Sequence, residues 1–264
     1  MHDVQSQDDD RCIHIDKVGV NELRYPITVL DRENEVQHTI ASLTLSVSLP
    51  HHFKGTHMSR FIEILNEHRG EITMRTLPAI LHTMKQRLEA QSAHVEVRFP
   101  YFVERSAPVS GARALVDYQC YFSGNSDGHV DDFTVGVKVP VTSLCPCSKA
   151  ISDYGAHNQR GEITVEVRSI ATDTGEPTII WIEELIEVAE SSASAPVYAL
   201  LKRVDERHVT MQAYDNPVFV EDMARNVAVK LQANQRVSWF RVNAINQESI
   251  HNHNAFAELQ WKRS

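Results

Sequence analysis

The sequence predicts an α+β fold of two tandem ββααββ-like modules, with antiparallel sheets and helices packed on one face. Three observations support this prediction. Several segments alternate apolar and polar residues, as half-buried strands do. Other segments carry apolar residues at the three- and four-residue spacing of amphipathic helices. The order strand, strand, helix, helix, strand, strand occurs twice along the 264 residues, which indicates an architectural repeat.

The first module is predicted at residues 13–128, after a polar, disordered tail at residues 1–12. Residues 22–49 predict two strands, two helices follow, and two more alternating segments complete the module. Its boundary is the turn-rich stretch at residues 124–132. The residues that define these elements are Leu43, Leu45, Val47 and Leu49, then Met58, Phe61, Ile62 and Leu65, then Leu77, Leu81, Met84 and Leu88, then Val95, Val97 and Phe99, then Val116, Tyr118, Cys120 and Phe122.

The second module is predicted at residues 129–264 and repeats the order of the first. Its second helix is expected to begin after Asn216 and Pro217, because both residues suit a helix entry. The defining residues are Phe133, Val135, Val137 and Val139, then Ile163, Val165 and Val167, then Ile182, Leu185 and Val188, then Val220, Met223, Val227 and Leu231, then Val242 and Ala244, then Ala255, Ala257, Leu259 and Trp261. Because such sheets leave strand edges exposed, a homo-oligomer is expected.

Composition excludes several classes of protein. The net charge of −9 argues against sequence-blind nucleic-acid binding, which needs a basic surface. No apolar run is long enough for a membrane helix, and the acidic N-terminus does not resemble a secretory signal, so we expect a cytoplasmic protein with no membrane partner. Four cysteines are too few for a disulfide framework at this length, and we expect them to be thiols.

The strongest local signal is the polar segment at residues 143–162, SLCPCSKAISDYGAHNQRGE, between two predicted strands. Cys145, Cys147 and His157 offer thiolate and imidazole donors, which suit an open catalytic zinc site if the segment folds back on itself. A structural four-ligand site is disfavoured because the chain lacks a second cysteine pair. The alternative interpretation takes the cysteines as small residues at a strand end and His157 as a turn residue.

Two further segments carry titratable groups. Residues 247–256, QESIHNHNAF, place Glu248, His251 and His253 beside the last predicted strand, where they suit proton transfer near neutral pH. The alternative is an exposed polar start of that strand. Glu221 falls in the first turn of a predicted helix, and dipole compensation alone would explain a carboxylate there.

Two charged segments complete the set of candidates. Residues 49–61, LPHHFKGTHMSRF, lie at a predicted strand-to-helix junction, where backbone N–H groups and flanking cations favour an anion. Residues 200–209, LLKRVDERHV, follow an apolar, helix-like stretch, and a solvated charge run is the simpler interpretation. The candidate phosphate-binding residues are Lys54, His57, Ser59, Arg60, Lys149, Arg160 and Arg203.

Five motifs in this order, spanning nearly the whole length, resemble GTP cyclohydrolase type IB: LPHHFKGTHMSRF, SLCPCSKAISDYGAHNQRG, LLKRVDE, NPVFVEDM and ESIHNHNAF. The resemblance implies the tunnelling fold, in which tandem modules assemble their sheets into a barrel around a homotetramer. It also implies conversion of GTP and water to formate and 7,8-dihydroneopterin triphosphate, the entry to folate synthesis, with Zn²⁺ or Mn²⁺ as cofactor.

The same resemblance assigns roles to residues of this chain. It implies that the metal ligands are Cys145 or Cys147, His157 and Glu206, with Cys145 as the preferred thiol and Cys147 for acid–base work. It implies proton transfer by Glu248 and His251, and recognition of guanine by Glu221. The order of the two cysteines and the native metal stay open.

Two competing interpretations are kept. One is another tunnelling-fold enzyme, such as a deazapurine nitrile reductase, with a nucleophilic cysteine and NADPH as hydride donor. The other is a metal-bound or redox-sensing binding module, in which Cys145 and Cys147 form the switch.

Overall fold

The computed structural model describes residues 5, 7–68, 72–128, 131–172 and 177–263, which form nine strands and six helices. Gly70, which the sequence suggested as a break between two helices, lies outside the described residues. The elements are β1 (Ile15–Asp31), β2 (Glu35–Leu49), α1 (Met58–Glu67), α2 (Leu77–Arg87), β3 (Ala93–Ser106), β4 (Arg113–Ser126), β5 (Asp131–Leu144), α3 (Pro146–Ile151), β6 (Asn158–Ser169), α4 (Ile182–Glu190), β7 (Ala195–Pro196), α5 (Arg203–Asp215), α6 (Val220–Ala233), β8 (Val237–Gln247) and β9 (Ala255–Lys262).

The strands form one sheet in the order β1-β2-β3-β4-β5-β6-β8-β9, with the short β7 paired to β5. The pairs β1–β2, β2–β3, β6–β8 and β8–β9 are antiparallel. Neighbouring strands are therefore mostly sequential, as expected when hairpins and short helical connections build a sheet. This confirms the predicted α+β class, and the first six elements follow the predicted ββααββ order.

The chain divides into two compact units that alternate along the sequence. The first contains the described residues of 1–100, 121–135 and 171–177, and the second contains those of 101–120, 136–170 and 178–264. Strands β3, β4 and β5 contribute residues to both units. These units are defined by contacts between residues, whereas the predicted modules are defined by the order of helices and strands. The two divisions are different, so the predicted module boundary near residue 128 stays a prediction.

The first unit has its core on one face of β2 and β3. Alternate residues of β2 from Leu43 to Leu49 are almost fully buried, as their spacing predicts. Helix α1 buries Phe61, Ile64 and Leu65, which share one face at helical spacing, and it packs on α2 and β1. The apolar stripes thus predict both the elements and the faces that they bury.

The second unit repeats this arrangement. Ile163, Val165 and Val167 of β6 are fully buried, and α6 packs its buried face on β8 and β9. Elements α3, β7 and α5 were not predicted from the sequence. The expectation of a helix-like stretch before Lys202 was wrong, because residues 191–202 contain only turns and β7. Helix α5 instead begins inside the charged segment, at Arg203.

None of the described helices combines the length and the apolar character that a membrane span requires.

Candidate active site

A pocket of about 340 Å³ opens in the second compact unit. This volume falls in the range of pockets that hold small molecules. It is built from the end of β5, the start of α3, the start of α6 and the segment between β8 and β9. Its lining residues are Cys145, Pro146, Cys147, Gln159, Val218, Phe219, Val220, Glu221, Asn246, Glu248, His251, His253 and Ala255. Six candidate residues that come from separate segments of the sequence therefore share one pocket.

The two cysteines enter the pocket where β5 gives way to α3. Cys145 is the N-cap of α3, and its sulfur accepts a hydrogen bond from the backbone N–H of Ser148 at 3.5 Å. Pro146 at the first helical position fixes the turn and needs no hydrogen-bond partner for its nitrogen. Cys145 is half-buried and Cys147 is exposed, so both thiols are accessible.

The polar segment at residues 143–162 folds back on itself, so that His157 lies beside Cys145. The backbone N–H of Cys145 donates to the carbonyl oxygen of His157 at 3.4 Å, and the N–H of His157 donates to the hydroxyl of Ser148 at 3.1 Å. The imidazole Nδ1 of His157 lies 3.1 Å from the hydroxyl of Ser249. This contact occupies Nδ1 and directs Nε2 away from it, an arrangement that commonly orients a metal-binding histidine.

The segment after β8 brings a carboxylate and two imidazoles to the same pocket. Glu248 accepts a hydrogen bond from the side-chain amide of Gln159 at 3.0 Å between Nε2 and Oε1. The rings of His251 and His253 stack with centroids 5.2 Å apart and an interplanar angle of 18°. Both histidines precede β9, which begins at Ala255, so their proximity follows from the turn and not from a shared strand face.

A chain of hydrogen bonds fixes the start of α6 and hence Glu221. The backbone N–H of Val218 donates to the carbonyl of Leu144 at 3.2 Å, and the hydroxyl of Ser143 donates to the carbonyl of Val218 at 3.2 Å. The side-chain amide of Asn246 donates to the same Ser143 oxygen at 3.1 Å. Ser143 and Asn246 are buried, so β5, β8 and the entry to α6 are joined inside the unit.

Glu221 itself is exposed in the first turn of α6 and lines the pocket. A carboxylate is common at this position, because the partial positive charge of a helix N-terminus attracts negative groups. Glu221 can thus present two acceptor oxygens to a ligand.

The charged segment at residues 200–209 holds a buried anchor that the sequence analysis did not identify. Asp205 is fully buried and accepts hydrogen bonds from the backbone of Val109, Ser110 and Lys202, each at 2.8 Å, and from the Ser110 hydroxyl at 2.6 Å. Burial raises the pKa of this carboxyl, but the hydrogen bonds outweigh it and lower the pKa of Asp205 well below its usual range. Asp205 therefore ties α5 to the loop between β3 and β4.

Glu206, the proposed metal ligand, is exposed in the first turn of α5 and does not line the pocket. The last turn of α5 is the part that reaches α3, because Lys149 donates to the Tyr214 carbonyl at 2.5 Å. Glu206 is two helical turns from that contact, about 12 Å along the axis. Within the described ranges, no three His, Cys, Asp or Glu side chains converge at one point.

The candidate phosphate residues fall in two groups. Lys54, His57, Ser59 and Arg60 belong to the first compact unit, whereas Lys149, Arg160 and Arg203 belong to the second. Arg60 donates to the carbonyl of Arg87 at 2.9 Å near the end of α2, and Lys54 donates to Gln7 at 3.3 Å. None of the seven lines the pocket.

Cys120 is chemically distinct from the two cysteines of the pocket. Its side chain is 2% exposed on β4, and burial raises the pKa of the thiol far above its usual value. A buried thiol of this kind is unreactive. Cysteine chemistry in the second unit therefore belongs to Cys145 and Cys147.

Comparison with known proteins identifies the relatives of this chain. Residues 1–257 match the family model described as type I GTP cyclohydrolase folE2. The GTP cyclohydrolase FolE2 of Syntrophus aciditrophicus is 55% identical over 98% of this chain and 99% of its own length. That of Syntrophotalea carbinolica is 55% identical over 99% and 95% of the two chains, and that of Nitrosococcus oceani is 53% identical over 100% and 96%.

Solved structures establish the fold independently of sequence. A uricase from Arthrobacter globiformis covers 94% of this chain and 93% of its own with a TM-score of 0.53 at 8% identity. A urate oxidase from Bacillus sp. TB-90 covers 94% and 99% with a TM-score of 0.56 at 10% identity. Urate oxidases have the tunnelling fold, so the predicted fold class is confirmed. At these identities the likeness concerns the fold alone.

Proposed function

Because the chain belongs to the type I GTP cyclohydrolase FolE2 family, we propose that it converts GTP and water to formate and 7,8-dihydroneopterin triphosphate. The observation that carries this proposal to particular residues is the pocket of the second unit. It joins a helix-start carboxylate, two thiols, a second carboxylate and two imidazoles. These groups supply what the reaction needs, namely recognition of a purine, a nucleophilic water and proton transfer.

Glu221 is proposed to select guanine. One carboxylate can accept two parallel hydrogen bonds from N1–H and the 2-amino group of guanine, a pair of donors that adenine lacks. The position of Glu221 at the start of α6 supports this role, because its exposed carboxylate lines the pocket. Val218 donates to Leu144 and accepts from Ser143, and these two hydrogen bonds hold the helix start in place.

His251 and Glu248 are proposed to move protons. Attack of water at C8 requires a purine activated by protonation at N7, and opening of the ring requires further transfers. An imidazole serves these steps because its pKa lies near neutral pH. Both residues line the pocket, and Cys147, at the start of α3, is a third proton-transfer candidate that lines it.

A divalent ion, Zn²⁺ or Mn²⁺, is proposed as cofactor, with Cys145, His157 and Glu206 as ligands. When bound, such an ion acidifies a water for attack on C8. The thiol and imidazole donors suit these ions, and the backbone bond between Cys145 and His157 supports a shared site. The occupied Nδ1 of His157 supports coordination through Nε2. Glu206 would have to approach from α5.

The triphosphate is proposed to be held by Lys54, His57, Ser59, Arg60, Lys149, Arg160 and Arg203. A ligand with about four negative charges needs concentrated cations on a protein of net charge −9. In these contacts Lys54, Arg60 and Lys149 donate to neutral amide or carbonyl oxygens, which are weaker acceptors than a phosphate. Each is therefore able to exchange a carbonyl or amide oxygen for a phosphate.

A cytoplasmic homotetramer is proposed as the working form, with no nucleic acid or membrane as partner. In the order of the described strands, β1 and β9 stand at the two ends of the sheet. Edge strands present backbone groups that a second copy can pair with. The number four comes from the resemblance to the family, and we expect the product to enter folate and pterin synthesis.

Incubation with GTP and Zn²⁺ or Mn²⁺ tests this function. We expect a fluorescent pterin to form after oxidation of the product, with no consumption of NADPH. NADPH oxidation with a deazapurine nitrile would instead indicate a reductase. Absence of turnover on any nucleotide, with metal bound below one equivalent, would indicate a binding module.

A further inference from the structure

Gln159 is a buried polar residue at the start of β6 that lines the candidate pocket. The residue is 8% exposed. Its Nε2 donates to Oε1 of Glu248 at 3.0 Å. The register of the sheet explains the contact, because Arg160 of β6 pairs with Gln247, the last residue of β8. The residues flanking this pair, Gln159 and Glu248, therefore meet at the rim of the pocket.

The other end of the same amide has no such partner. Oε1 of Gln159 is buried and accepts no hydrogen bond from the described part of the chain. A buried acceptor without a donor destabilises the folded state, whereas an apolar side chain of the same length carries no such penalty. Turning the amide over would place Oε1 against the carboxylate oxygen of Glu248. An ionised Glu248 thus fixes the orientation of the amide.

Stability alone does not explain a glutamine at this position. Glu248 is half-buried, so water can hydrate its carboxylate without help from Gln159. The amide N–H of Gln159 determines where one oxygen of Glu248 lies. In the same orientation the amide oxygen of Gln159 is buried without a hydrogen-bond donor from the described residues. Such a compromise is typical of residues that serve a site at some cost to stability.

We propose that Gln159 is a positioning residue that holds one oxygen of Glu248 against β6 and leaves the other oxygen for proton transfer in the pocket. This inference rests on the proposed function, in which Glu248 acts together with His251. It concerns the rate of the chemical steps and leaves binding of GTP to other residues. Because Gln159 acts through Glu248, its loss is expected to change kcat and to leave KM nearly unchanged.

The test is the substitution Gln159→Met, which keeps the length of the side chain and removes both its donor and its buried acceptor. We expect kcat for GTP to fall by about 10- to 100-fold, the range found when a metal ligand loses the hydrogen-bond partner that orients it. The KM for GTP should stay within about 3-fold, and the melting temperature should be equal to or above that of the parent. Gln247→Met, a change of an exposed neighbouring glutamine, should behave as the parent in all three measurements.

Two results would overturn the inference. One is a parent-like kcat in Gln159→Met, and the other is a kcat that falls only in step with a lowered melting temperature. The second result would mean that Gln159 supports the fold.

A double variant, Gln159→Glu with Glu248→Gln, tests the position of the carboxylate directly. It keeps an amide–carboxylate pair but moves the carboxylate from the pocket segment to β6. We expect the kcat of the double variant to be no higher than that of Gln159→Met. Recovery of kcat would mean that the position of the carboxylate does not matter, which would contradict the inference. A parent protein that does not turn over GTP would reject the proposed function itself, which separates the two failures.

Discussion

Single side chains of the pocket carry the proposed roles in guanine recognition and proton transfer. Glu221 is exposed at the start of α6, Glu248 is held by Gln159, and His251 stacks with His253. Hydrogen bonds from β5 fix the helix start that carries Glu221, and a hydrogen bond from Gln159 of β6 holds Glu248. Substitutions that keep the size of a side chain but remove its charge therefore test one chemical property at a time.

Glu221→Gln should lower kcat/KM for GTP by about 30- to 1,000-fold. A charge-assisted pair of hydrogen bonds to guanine is worth on the order of 2–4 kcal/mol, and the neutral amide cannot accept both donors. Steady-state kinetics with GTP and inosine triphosphate measures this loss. Inosine triphosphate lacks the 2-amino group, so it should already be a poor substrate for the parent. Loss of bound metal with normal GTP binding in this variant would show that Glu221 is a ligand.

Asp205→Asn should lower the stability of the fold at neutral pH. It should also make that stability less sensitive to a fall in pH. The pKa of Asp205 is lower in the folded protein than in the unfolded chain. Asp205 therefore stabilises the fold fully at a pH above its unfolded pKa. This stabilisation is lost as the pH falls from the unfolded pKa toward the folded pKa. The substitution keeps the shape but replaces an ionised acceptor of four hydrogen bonds with an amide.

Thermal denaturation from pH 7 down to pH 3 measures this effect. The parent should lose several degrees more than Asp205→Asn over that interval, while Asp215→Asn, on the exposed end of the same helix, should match the parent. Parallel curves for parent and Asp205→Asn would contradict the assignment.

At the scale of elements, the apolar periodicity was enough to predict most helices and strands. The alternation of β6 and the helical stripe of α6 correspond to residues that are buried in the structure. Helix α5 was missed because its exposed face is highly charged and its buried positions are few, among them Asp205 and Ala213. The short α3 has no buried residue at all, so hydrophobic spacing carries no signal for it.

Hydrophobic spacing also carries no signal for the polar residues that support the pocket. Ser143, Gln159 and Asn246 look like ordinary polar positions in alternating strands. Their roles depend on the pairing of β6 with β8 and on where α6 begins, which the sequence of each segment does not reveal. By contrast, the thiols, carboxylates and imidazoles of the pocket stood out because their chemistry is uncommon at such spacing.

Ser143→Ala should disturb the junction of β5, β8 and α6. The buried amide of Asn246 loses its acceptor and the Val218 carbonyl loses its donor, at a cost of about 1–3 kcal/mol. We expect a lower melting temperature and a rise of about 10-fold in KM for GTP, because Glu221 follows this junction. Calorimetry and kinetics check both effects, with Ser42→Ala on the exposed face of β2 as the matched control. An unchanged KM despite lower stability would mean that the junction does not position Glu221.

For the whole molecule, the metal should be needed for chemistry more than for folding. The described residues already form a continuous sheet and two compact units, whose cores consist of apolar side chains. An open catalytic site contributes less to folding than a closed four-ligand site. Chelation should therefore abolish turnover while the circular dichroism spectrum stays near that of the untreated protein, and added Zn²⁺ or Mn²⁺ should restore the rate. Unfolding on chelation would indicate a structural site.

The central claim is that this pocket releases C8 of GTP as formate. It is tested most directly by following GTP labelled with ¹³C at C8 by NMR, in the parent and in Glu248→Gln. The parent should yield one labelled formate for each pterin formed, and Glu248→Gln should bind GTP but form neither product at a comparable rate. Label that stays in a purine product, or undiminished formate release by Glu248→Gln, would contradict it.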